Sequence, residues 1–131
     1  MEKMLFPQAL KHAVIKLGQD LAPTPVVGGS PDDGTTTYIR VRRTGGVKIN
    51  KVMETAQLTI DVYAPADDLV EELTQTVRAH AQALAGTHFP GFDCKKYTEY
   101  AGPQASPDPD APTLSRWRFT FALHLKGTTL P

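Results

Sequence analysis

The residues able to do chemistry in this chain are four histidines, one cysteine and a pair of aspartates in a proline-rich stretch. His12, His80, His88 and His124 fall on two predicted helices, a loop and a strand. None is spaced from another as a pair of metal ligands would be, so they read as solvent-facing and no metal site is expected. Cys94 has no activating neighbour in sequence, because His88 lies across the Pro90-Gly91 turn. The thiol reads as a half-buried structural group. A single cysteine allows neither an internal disulfide nor a cysteine-based zinc site. Asp108 and Asp110, in SPDPDAP, would need a shaped and partly dry site for acid–base work, and a proline-rich loop leaves them solvated. The loop GGSPDDG at 28–34 lacks the Lys-Ser/Thr and the strand–turn–helix setting of a phosphate loop. Ser30, Ser106 and Ser115 sit in no nucleophile elbow. The chain therefore does not read as an enzyme, and no cofactor is expected.

A second kind of chemistry is charge. The chain is neutral, with 14 Lys+Arg against 14 Asp+Glu, which argues against a dedicated nucleic-acid binder. Yet Arg40, Arg42 and Arg43 crowd into RVRRTGG, just before Gly45 and Gly46. Alternation puts Tyr38, Arg40 and Arg42 on one face of a strand, and Arg116 and Arg118 on the polar face of another. Three readings follow: a solvated sheet face with cross-strand pairs such as Arg40–Asp61, a protein–protein interface rich in arginine and tyrosine, or an RNA-binding sheet. The last calls for a basic total charge that the chain lacks.

The elements that must position these groups follow from periodicity. Residues 5–21 predict a helix with Pro7 in its first turn and Leu10, Val14, Leu17 and Leu21 on its buried stripe. Phe6 is placed to staple onto Leu10. Strands are predicted at 38–43 and 56–64. The segment between them, VKINKVMETA, is longer than a hairpin needs. A helix at about 66–85 carries Asp67, Asp68, Glu71 and Glu72 in its first turns, where the dipole favours anions, and buries Leu69, Val70, Leu73, Val77, Ala81 and Leu84. A turn-rich passage at 87–94 leads to a strand at about 95–101. The four-proline stretch 102–113 reads as irregular. The strongest strand signal is RWRFTFALHLKG, with Trp117, Phe119, Phe121, Leu123 and Leu125 on one face. Each strand has one apolar and one polar face. The expected fold is α+β: a two-layer sandwich of about four antiparallel or mixed strands with two helices on one face, as one domain over 1–131. No run approaches 18 apolar residues, so no membrane span is expected, and Lys11 and His12 interrupt the N-terminal apolar stretch, so neither is a secretory leader.

In this order, YIRVRRTGG (38–46), AQLTIDVYA (56–64), VRAHAQALAG (77–86), AGPQASPDPDAP (101–112) and RWRFTFALHLKG (116–127) resemble the tail terminators of long, non-contractile-tailed bacteriophages, especially those of actinobacterial hosts. The resemblance covers nearly the whole chain, and the short stretch after the last strand fits it. It implies a structural virion protein, assembled in the host cytoplasm and placed at the head-proximal end of the tail. There it forms a homohexameric ring that caps the tail tube, stops its polymerisation and meets the head-completion proteins, with DNA only in transit through the lumen. On that reading Arg40, Arg42, Arg43, Asp61, Asp67, Asp68, Glu71 and Glu72 are subunit or partner interface residues. The segment with Gly45, Gly46, Lys48 and Lys51 reaches out toward the tube protein or the lumen. The nearest alternative is a head-completion or stopper protein. A small α+β ligand-binding domain or enzyme is a more distant one.

Overall fold

Alternating apolar residues drive the centre of this fold. In the strand Met53–Ala64, Ala56, Leu58, Ile60, Val62 and Ala64 all point to one side and are buried, as a period of two requires. The structure, a computed structural model, describes residues 3–130; Met1, Glu2 and Pro131 lie outside the described residues. Along the chain the elements are β1 (Met4–Leu5), α1 (Ala9–Leu21), β2 (Val26–Val27), β3 (Tyr38–Gly45), β4 (Met53–Ala64), α2 (Asp67–Gln82), β5 (His88–Phe89), β6 (Phe92–Ala105), β7 (Ser115–Lys126) and β8 (Thr128–Thr129). The main sheet runs β2-β3-β4-β7-β6-β5, and β1 pairs with β8 in a separate ribbon. β2 runs parallel to β3 while the other neighbours are antiparallel, so the sheet is mixed.

The fold is α+β, with more strands than the four expected. The four long strands are the expected ones. The short strands β1, β2, β5 and β8 carry only two residues each, too few for a period to show. Both helices join the strands' apolar side in one core: Leu17 and Leu21 of α1 and Val70, Val77 and Ala81 of α2 pack with Ile39, Val41, Ile60, Phe119 and Phe121.

Several boundaries differ from the sequence reading. α1 starts at Ala9, not at residue 5. Leu5 is drawn into β1 by pairing with Thr128, leaving Pro7 ahead of the helix. Phe6 lies against Gly127, where an added Cβ would stand 3.0 Å from the ring. The buried stripe of α1 is Ala9, Ala13, Leu17 and Leu21, with Leu10 and Val14 half-buried. The alanines let the helix approach the sheet closely. In α2, Thr74 takes a buried place by donating to Val70 O at 2.6 Å, and Leu69 is left outside, 52% exposed. β6 continues through Gly102-Pro103-Gln104 to Ala105, where a loop was expected. Pro103 is tolerated because the register shifts between Ala101 and Gln104, and a bulged strand need not spend that missing N–H on the ladder.

Candidate subunit interface

The polar side of the sheet is organised by one carboxylate. Asp61 lies between Arg40 on β3 and Arg118 on β7 in register and is fully buried. Arg118 Nε donates to Asp61 Oδ1 at 2.7 Å, Arg40 donates to Oδ2 at 3.2 Å and Arg42 to Oδ2 at 3.3 Å. The cross-strand pair Arg40–Asp61 is therefore present, within one chain. Burial alone would raise the Asp61 pKa. The bonds from Arg118 and Arg40 and the charge of Arg42 outweigh it and hold the carboxyl below the usual aspartate value. The Nε atoms of Arg40 and Arg42 are buried without an acceptor, so charge rather than hydrogen-bond saturation holds this cluster. Three guanidiniums against one carboxylate leave two positive charges in surplus, on side chains 27–39% exposed.

Toward one end of the strands the surface closes over. Tyr38 and Tyr63 stack with ring centres 4.3 Å apart, and both are buried although they belong to the polar face. The stretch 106–110 reaches over Tyr63. Asp108, expected to be solvated, accepts from Tyr63 Oη at 2.7 Å and pairs with Arg116 at 3.5 Å, while Arg116 Nε donates to Ser106 O at 2.6 Å. Burial first and the bond to Asp108 second push the Tyr63 phenol up to about 12. Toward the other end, hydroxyls bridge the strands, with Thr44 to Thr59 and Thr59 to Thr120 both at 3.1 Å.

Beyond Gly45 the chain forms an arm. Gly46 sits at φ +135°, and a Cβ there would fall 2.0 Å from Thr55 O, so only glycine fits this turn. Thr55 N donates to Val47 O at 2.8 Å, and Val47 N donates back to Thr55 Oγ1 at 2.9 Å. At the tip, Asn50 Oδ1 accepts from Val52 N and Met53 N at 2.9 and 3.0 Å, a side-chain turn of the kind asparagine favours. Ile49 N donates to Met53 O at 2.9 Å. The long segment is thus a closed hairpin extension of β3 and β4, with Lys48 and Lys51 exposed. Arg43 lies at its base, 3.7 Å from Glu54.

The acidic residues of α2 are not brought to the arginines. Asp67 accepts from Ser115 Oγ. Asp68, Glu71 and Glu72 are exposed and stand in no ion pair among the described residues. One charged cluster escaped the sequence reading. Arg78 of α2 donates to both oxygens of Glu99 on β6, at 2.8 and 2.6 Å, and Tyr97 donates to the same carboxylate at 3.0 Å. Its partners lie 21 positions apart; alternation along β6 puts Glu99 on the same side as Tyr97, but nothing in the sequence says that Arg78 lies opposite.

Cys94 is buried rather than half-buried; burial pushes its thiol up to about 11, the reverse of an activated nucleophile. A cleft of about 360 Å³ between Leu5, Phe6, Pro7 and Phe92 has His88 and Asp93 at its rim, where Lys95 engages Asp93 at 3.1 Å. Among the described residues no three His, Cys, Asp or Glu converge as metal ligands, and no helix is long and apolar enough to cross a membrane. A scan against protein-family models and a search of curated proteins returned no match.

Proposed function

We propose that this chain is a tail terminator subunit: it joins five copies of itself in a ring that closes the head-proximal end of a non-contractile phage tail tube. The ring stops tube growth and offers a surface to the head-completion proteins. The observation that carries this reading is the open sheet face. It is a rigid charged surface rather than a pocket, with Arg40, Arg42 and Arg118 locked around Asp61 and two positive charges to spare. Such a face suits an acidic protein surface, for which charge complementarity sets register and encounter rate. The arm at one end of the strands and the acidic first turns of α2 at the other make the two ends unlike. A subunit with unlike ends associates head to tail, and that contact yields a ring when its rotation closes. The order of the VRRTGG strand end, the Pro-Asp-Pro stretch and the aromatic last strand supports the same reading.

The test is native mass spectrometry over a concentration series, followed by addition of the protein to polymerising tube protein from the same phage. A six-subunit species and tubes arrested with one capped end are expected. A monomer that leaves tube length unchanged overturns the reading. Binding to the head connector but not to the tube reassigns the chain as a head-completion or stopper protein.

A further inference from the structure

The arm leaves apolar side chains in solvent: Val47 is 66% exposed, Ile49 49% and Val52 42%. Val47 and Ile49 flank Lys48, which bridges Glu54 in antiparallel fashion, so in that extended backbone they share a side. The hairpin bonds around Asn50 and Thr55 hold them in place, so little ordering remains to be done on binding. Leu69 is the exposed apolar residue of α2. With Leu73, Thr24, Thr37, Glu72 and Thr76 it lines a groove of about 330 Å³. Charge sorts the same way. Lys48 and Lys51 are on the arm; Glu72 lines the groove, and Asp68 and Glu71 are exposed on the same first turns of α2; none of the five has an ion-pair partner among the described residues.

Arm and groove cannot meet within one chain. The arm springs from the Met53 end of β4, and α2 begins just past its Ala64 end. The 12 residues between those ends span about 36 Å at roughly 3.3 Å per residue. We infer that the arm of one copy docks in the α2 groove of a second copy, with Val47, Ile49 and Val52 against Leu69 and Leu73, and Lys48 and Lys51 facing Asp68, Glu71 and Glu72. The contact deepens the ring reading and rests on it only for the number of copies joined.

Cysteine cross-linking tests this directly, because native Cys94 is buried. Val47→Cys and Leu69→Cys are made separately, mixed and oxidised. A disulfide-linked heterodimer is expected from the mixture, and a ladder of higher species from the double variant. Ile15→Cys, exposed on α1, replaces Leu69→Cys as the control. K48E/K51E on the Val47→Cys chain should lower the yield about tenfold, and E71K/E72K on its partner should restore it. No more product with Leu69→Cys than with Ile15→Cys overturns the proposal. Native mass spectrometry of the same samples separates it from the ring reading. Six-subunit species without the Val47–Leu69 product keep the ring and overturn the arm contact. Cross-linked pairs or open chains without a six-subunit species keep the arm contact and overturn the ring.

Discussion

Asp61 and Arg118 face each other across β4 and β7, and the fully buried carboxylate accepts a 2.7 Å bond from Arg118 Nε. Removing the acid leaves Arg40, Arg42 and Arg118 repelling one another across the polar face of the sheet. Asp61→Asn should cost about 3 kcal/mol, the low end for breaking a buried ion pair, because the arginines keep some access to water. Arg42→Ala, at the most exposed of the three guanidiniums, should cost at most about 1 kcal/mol. Urea unfolding of the two variants checks the order; equal losses would remove Asp61 from the centre of the cluster.

The same cluster sets an acid limit. Asp61 has a folded pKa below its ordinary value of 3.8, so its ionised form contributes stability above that value. The contribution disappears as pH falls through the lower folded value. Glu99, held down first by its bond from Arg78, and Asp108, held down first by its bond from Tyr63, act with the same sign. The stability difference between the parent and Asp61→Asn should be full at neutral pH and shrink below about pH 4. A difference constant down to pH 2 would contradict the assignment.

Gly46→Ala places a Cβ on Thr55 O at a φ that other residues rarely adopt. Strain of order 1–3 kcal/mol should fall on the arm. Hydrogen exchange should speed at Thr55 N, which bonds Val47 O, while β7 amides stay protected. Unchanged exchange at Thr55 would mean that the turn accommodates alanine.

Cys94 should resist thiol reagents in the folded protein, being buried with its thiol raised to about 11, and react on unfolding. Modification at the rate of a free thiol in native buffer would show that the core around Phe92 opens.

The sequence by itself determined that two helices and four long strands exist, and the inward faces of β4 and β7. Residues such as Leu58, Ile60 and Val62, or Phe119, Phe121 and Leu123, repeat at the period of a strand, and burial of apolar surface admits only one side for them. It also located the arginines, the acidic turns of α2 and a connection too long to be a simple turn. The tertiary structure decided who meets whom. Asp61 draws in Arg118 from 57 positions away. Asp108 covers Tyr63 from 45 positions away. Pairing with Thr128 turns Leu5 from helix to strand. Leu69 is left in solvent because the stripe that meets the sheet is Val70, Thr74, Val77 and Ala81, with the Thr74 hydroxyl satisfied by Val70 O. Periodicity reports which way a side chain points along its own element, whereas an ion pair, a cap or an exposed leucine depends on what another element brings opposite it.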